Sequence, residues 1–249
     1  MSDLPRPVAD LCAALGASPG IEAVTIGGSR AVGTADDASD WDVGLYYRGP
    51  ADLATLARYG EVHPPGSWGR IMNGGAWLTL EGLKVDVILR DVDVVMHWRQ
   101  EAQRGRYEVD ALLGYVAGAP TYGLVAELAV NRVVVGTLPA VGEYPRALAE
   151  NGERRWHAHA DFSLTHARMR AERSDVTGAV AQAAKAVLET AHALACRRRQ
   201  WVLNEKKLVE QVGLAGLHEW FARVPRPAAP LVGWVSEVRA ALAALTRSG

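Results

Sequence analysis

The chain has 249 residues, a formal net charge of −1, 49% hydrophobic residues and 22% charged residues. That length holds one large or two small domains with real cores, and a near-neutral balance supplies no global field for nucleic acid. No apolar run approaches the roughly 18 residues of a membrane span, and Met1-Ser2-Asp3-Leu4-Pro5 lacks the basic stretch and apolar run of a signal peptide. The two cysteines, Cys12 and Cys196, lie far apart without metal spacing and read as reduced thiols of a cytoplasmic protein.

In chain order, Val8, Leu11, Cys12 and Leu15 recur at helical spacing, and Gly16 ends the helix. Ile21 to Ile26 is a strand that feeds a Gly27-Gly28-Ser29 turn, with a short helix from Ser29 to Val32 and a polar loop from Thr34 to Ala38. Asp40 to Tyr47 is a second strand, and Ala51 to Tyr59 a helix. His63-Pro64-Pro65-Gly66 is a loop. Ile71 to Leu80 and Leu83 to Leu89 are strand-like runs joined by the hairpin signal Glu81-Gly82. Asn73-Gly74-Gly75 interrupts the first run, as a bulge or as backbone that lets a ligand approach. A helix follows over Val92 to Gln103.

Beyond this point the pattern is helical. Helices are expected over Tyr122 to Val135, Tyr144 to Glu172, Asp175 to Arg199 with Asp175 as the cap, Asn204 to Val212, His218 to Ala222 and Leu231 to Leu245. Pro225-Arg226-Pro227 separates the last two, and Arg197-Arg198-Arg199 suits a helix C-terminus. The fold class is α/β (α+β): a catalytic domain with a mixed sheet over residues 1–115, then a helical bundle over 116–249.

The chemistry concentrates in three places. Ser39-Asp40-Trp41-Asp42 puts two carboxylates at i and i+2 of a strand, on one face. Side by side they repel unless a cation lies between them, and hard oxygen ligands suit Mg²⁺, completed by water and substrate phosphates. Gly28 and Ser29 form a turn that lets backbone approach a phosphate, with the N–H groups of the following helix behind it. Asp86 is the acid of the β-branched run Lys84 to Leu89, where burial is costly without a cation.

Gly28-Ser29, a gap of about ten residues, Asp40-x-Asp42 and a later strand-borne Asp86 resemble the nucleotidyltransferase superfamily, the DNA polymerase β-like fold, in its aminoglycoside and lincosamide branch. The motif spans roughly residues 21 to 90. The resemblance implies Mg²⁺-dependent transfer of a nucleoside monophosphate, AMP being the expected one, from ATP or another NTP to a hydroxyl of a small molecule, such as an antibiotic. Asp40 and Asp42 would hold two Mg²⁺ ions, Asp86 the catalytic one, and Ser29 the β- and γ-phosphates. Arg30 and Ser39 are further candidates beside the phosphates. Relatives with a base early in the helical domain point to Glu127, and those with a triphosphate-binding lysine there to Lys206 or Lys185. The general base is thus Asp86 or Glu127.

Trp68, Arg70 and Trp77 flank the glycine break, where the tryptophans either wall an acceptor pocket or pack in a core. His157, His159 and His166 suggest neither a metal site nor a triad. An antitoxin-type binding module and a protein adenylyltransferase are the alternative functions. Nucleic acid and membrane are not expected as partners.

Overall fold

The computed structural model describes residues 4–33, 35–36, 39–225 and 230–247. Parts of two expected loops, at 34 and 37–38 and at 226–227, lie outside the described residues, as do Met1 to Asp3. In chain order the elements are α1 (Arg6–Gly16), β1 (Ile21–Ile26), α2 (Gly28–Val32), β2 (Trp41–Tyr47), α3 (Ala54–Ala57), α4 (Gly69–Met72), β3 (Gly75–Leu80), β4 (Leu83–Asp91), α5 (Val92–Gln103), β5 (Val109–Asp110), β6 (Ala119–Pro120), α6 (Gly123–Val130) and β7 (Arg132–Gly136). There follow α7 (Arg146–Glu172), α8 (Val176–Arg197), α9 (Leu208–Gln211), a 3₁₀ turn (Ala215–Leu217), α10 (His218–Ala222) and α11 (Leu231–Arg247).

The chain forms two compact units, Met1–Glu101 with Thr121–Glu143, and Ala102–Pro120 with Tyr144–Gly249. The expected division was a single cut near residue 115. The units interleave because β7 returns to pair with β1, while residues 102–120 carry the β5–β6 ribbon and bind within the second unit. There, Glu205 accepts backbone N–H bonds from Val116 at 2.7 Å and Ala117 at 2.9 Å.

The first unit is built on a five-stranded mixed sheet in the order β3-β4-β2-β1-β7, in which β2 and β4 run parallel and the other neighbours antiparallel. One face is the core, where Val24, Ile26, Val43, Leu45, Val85, Val87, Ala76 and Leu78 pack with Val8, Leu11 and Leu15 of α1. The β-branched, alternating composition of these strands makes such a face. Every residue of the central strand β2 is buried except Asp42.

Four expected elements differ: the helices expected over Ala51 to Tyr59 and Asn204 to Val212 shrink to Ala54–Ala57 and Leu208–Gln211, and two others change type or bounds. Ile71 and Met72 belong to the helical turn α4, which ends at Asn73 with φ +65°, so the strand begins at Gly75. The helix expected over Tyr122 to Val135 stops at Val130; Asn131 is extended and Arg132–Gly136 becomes an edge strand on β1. Val133-Val134-Val135 suits a strand better than a helix, and pairing with β1 decides it. The hairpin at Glu81-Gly82 forms with positive φ at both residues, +49° and +86°.

The second unit is helical. α7 and α8 pack with α9 and α11 around Leu164, Ala167, Ala183, Leu194, Val209, Trp234 and Val238. Small residues let the long helices approach: a Cβ at Gly152 of α7 would lie 2.6 Å from Cys196 Sγ of α8. Asp175 caps α8, accepting from the Gly178 N–H at 2.9 Å. Cys12 and Cys196 are buried and not disulfide-bonded, and burial pushes the Cys12 thiol up to about 11. No helix among the described residues is long and apolar enough to cross a membrane.

Candidate functional site

The face of the sheet opposite the core carries the acids. Asp42 of β2 is in register with Asp86 of β4, and Asp86 with Trp77 of β3. Residues in register share a face, and adjacent strands lie about 4.8 Å apart, so the three side chains stand in a row. Asp42 and Asp86 are both partly exposed.

The Gly-Gly-Ser turn closes onto this row at Asp42. The Gly27 N–H donates to the Asp42 carbonyl at 2.8 Å. Gly28 has φ +58°, and a Cβ there would lie 1.8 Å from Asp42 Oδ2. Only glycine meets both demands: left-handed backbone and no side chain beside the carboxylate. Ser29 follows in α2, and its carbonyl accepts the N–H of Gly33, which ends the helix at φ +74°.

Arg30 is tied to the chain that enters β2. Its guanidinium lies over the Trp41 ring at 4.1 Å and donates to the carbonyls of Ser39 at 2.6 Å and Asp40 at 3.3 Å. It therefore positions the residues leading to the carboxylates. Ser39 is used locally as well: its Oγ donates to Asp36 Oδ1 at 2.8 Å and accepts the Asp36 N–H at 3.0 Å. Asp40 is partly buried, one residue before β2.

Among the described residues, no group of three or more His, Cys, Asp or Glu side chains is placed to hold a metal ion. The structure brings Asp42 and Asp86 into register and leaves Asp40 outside a three-acid cluster. Two neighbouring carboxylates fit Mg²⁺ all the same, since that ion takes one or two carboxylates and completes its shell with water and phosphate oxygens.

Glu127, one of the two expected candidates for the base, is paired with Arg90. Both of its oxygens accept from Arg90, Oε2 from Nε at 2.5 Å and Oε1 from an Nη at 2.6 Å. Arg90 is 2% exposed and also donates to the Ile71, Met72 and Leu89 carbonyls. This two-pronged pairing ties α6 to β4 through Glu127 and Arg90. Lys206 and Lys185 lie in the helical unit: Lys206 is exposed, and Lys185 Nζ is 3.9 Å from Glu189.

Trp77 is 63% exposed and stacks on Trp68 with centroids 4.6 Å apart, so it is not a core residue. The glycine break serves this arrangement. A Cβ at Gly75 would lie 2.8 Å from the Trp68 ring, and one at Gly74 2.4 Å from the Pro64 carbonyl. The close approach that the glycines permit is made by the Val87 carbonyl of β4, at 1.9 Å from a Cβ on Gly75, together with the protein's own loop. Arg70 turns elsewhere, over Trp98 at 5.7 Å. A cavity of about 580 Å³ beside Asn73, Asp91, His97 and Trp98 does not include the acid pair. His159 and His166 lie against Trp156 and Phe162.

Sequence reasoning missed Arg90 and His63. A lone arginine in a strand and a lone glutamate in an apolar helix were the available signals for the first. Nothing local joins residues 37 apart.

No protein-family model matches the chain, and no curated protein matches it. Among solved structures, the chain is similar to a nucleotidyltransferase-like protein from Exiguobacterium sibiricum 255-15, with a TM-score of 0.48 and 11% identity over 98% of this chain and 74% of that one.

Proposed function

We propose that the chain transfers a nucleoside monophosphate from a nucleoside triphosphate, ATP first among them, to a hydroxyl of a small molecule. The observation that carries this reading is the Gly28 backbone lying against the Asp42 carboxylate, with Asp86 in register beside it. A glycine turn that admits phosphate oxygens next to paired carboxylates is suited to a metal–triphosphate complex.

In this reading Asp42 and Asp86 would hold magnesium, with Asp40 just before them, and when bound it would neutralise phosphate charge and lower the pKa of a coordinated hydroxyl. The Gly28-Ser29 turn orients the β- and γ-phosphates. Asp86 takes the proton of the attacking hydroxyl. The new bond joins the acceptor oxygen to the α-phosphorus, the bond from that phosphorus to the bridging oxygen breaks, and pyrophosphate leaves with the electron pair. Arg30 keeps the Ser39-Asp40 segment in place, and Arg90 with Glu127 braces β4 against α6.

The test is mass spectrometry of reactions of the purified protein with Mg²⁺, mixed NTPs and a panel of hydroxylated antibiotics. A product heavier by one nucleoside monophosphate, absent with Asp42→Asn, is the expected result. Product formation that survives Asp42→Asn overturns the assignment.

A further inference from the structure

The geometry points to an acceptor subsite: Trp77, backed by Trp68 and His63, is a stacking platform for a planar ring of the molecule whose hydroxyl is modified. This rests on the nucleotidyl-transfer reading for its position and on three separate observations for its chemistry.

First, the ring is presented. Trp77 is 63% exposed although tryptophan is mostly buried in folded proteins. Second, it is held. Trp68 stacks on it at 4.6 Å and 27°, and His63 meets both rings at 5.1 Å. His63 is itself fixed by reciprocal backbone bonds with Gly75, at 2.8 and 2.9 Å, and the missing side chain at Gly75 makes room for Trp68. A ring fixed in advance loses little freedom when another ring stacks on it. Third, it is beside the acids. Trp77 is directly opposite Asp86, on the same face.

The sheet order selects the occupant. Across the face run the Gly27-Gly28 turn, Asp42, Asp86 and Trp77. Phosphates belong at the turn and the α-phosphorus at the carboxylates. What lies beyond Asp86 is the side from which the attacking hydroxyl comes. The platform therefore takes the acceptor, and the acceptor class is a hydroxylated molecule with an aromatic or other planar conjugated group close to the reacting hydroxyl. A ring against a tryptophan gains dispersion and offset stacking, of the size that base–aromatic stacking contributes in single-strand binding.

The experiment uses the full chain and a matched pair of probes, p-nitrophenyl β-glucoside and cyclohexyl β-glucoside. Both carry the same hydroxyls, and only the first has a planar ring. Dissociation constants are measured by calorimetry for the wild type, Trp77→Ala and Trp77→Phe. Trp77 is exposed, so neither change threatens the fold, and circular dichroism checks that. The wild type is expected to prefer the nitrophenyl probe by about tenfold or more, Trp77→Phe to keep most of that preference, and Trp77→Ala to lose it. Equal binding of the two probes by the wild type, or a preference that survives Trp77→Ala, overturns the platform. Loss of nitrophenyl binding under saturating Mg-ATP assigns the platform to the nucleobase and overturns the acceptor assignment. Mg-ATP titration of the wild type reads the underlying proposal separately: no binding there with the ring preference intact sinks nucleotidyl transfer and leaves the platform standing.

Discussion

Gly28 and Asp42 share one small space: a Cβ on the first would sit 1.8 Å from Oδ2 of the second. Gly33 supplies a natural control. It too has positive φ, +74°, but a Cβ there meets nothing within 4 Å among the described residues. Alanine at either position adopts a left-handed conformation at a cost of about 1 kcal/mol or more. Only at 28 does it also displace the carboxylate. Gly33→Ala should thus lower stability by that amount and keep Mg-ATP affinity, while Gly28→Ala should weaken Mg-ATP binding by roughly tenfold or more. Calorimetry and thermal melts of both variants decide the matter, and equal nucleotide affinity in the two would remove Asp42 from the site.

The paired carboxylates make a second prediction. Asp42→Asn and Asp86→Asn preserve shape and remove charge. Turnover should fall below detection in each, and nucleotide binding should lose its dependence on Mg²⁺. Because Asp86 is also the proton acceptor in the proposed reaction, Asp86→Asn should not be rescued by Mn²⁺ or by raised Mg²⁺. Rescue to near wild-type rate by either would confine Asp86 to metal binding.

The strands that carry Asp42 and Asp86 were readable because alternating β-branched runs mark them, while the period-2 argument for Asp40 and Asp42 reaches past the start of β2 at Trp41. The structure then set the register of Asp42 with Asp86, which no spacing contains. The failures have the same origin. Residues 132–136 lie in a stretch whose apolar pattern serves helix and strand alike, and only pairing with β1 over 100 residues away resolves it. Asn73-Gly74-Gly75 signalled a close approach but not of what; the answer, the Val87 carbonyl, Trp68 and the His63-Pro64 backbone, depends on strand pairing and on how a loop folds back. Glu127 stands alone in an apolar helical turn, and its partner Arg90 sits on strand β4, 37 residues away.

That partnership carries the third prediction. Arg90 is 2% exposed and Glu127 23% exposed, so removing the glutamate charge weakens the bidentate pairing of a buried cation. Glu127→Gln should destabilise the first unit by about 3 kcal/mol, within the range for broken buried pairs. Turnover per folded molecule should change by less than about tenfold in Glu127→Gln, against the two to four powers of ten expected from loss of a general base. Chemical denaturation and active-fraction kinetics measure both quantities. A thousandfold loss of turnover at unchanged stability would restore Glu127 as the base.

The last prediction concerns His192 in the helical unit. It is 1% exposed, and its ring stacks on Trp156 with centroids 4.5 Å apart at 14°. Among the described residues neither ring nitrogen has a hydrogen-bond partner, and Glu205 Oε1 lies 4.0 Å from Nε2, beyond hydrogen-bonding reach. Burial lowers its pKa from 6.5 to about 4. Above about pH 6.5 the residue is neutral in both folded and unfolded chains and gives stability no pH dependence. Between about 6.5 and 4 the unfolded chain binds a proton that the folded chain refuses, so stability falls as pH falls, by about 1.4 kcal/mol per pH unit at most. Over the whole window the loss is on the order of 3 kcal/mol. His192→Phe keeps an aromatic ring against Trp156 and has no proton to bind. Its stability relative to wild type should therefore rise steadily as pH is lowered from 6.5 to 4 and stay constant from 7 to 8. Denaturant melts of both proteins across that range test this directly, and parallel stability curves down to pH 4 would show that His192 takes up its proton in the folded chain.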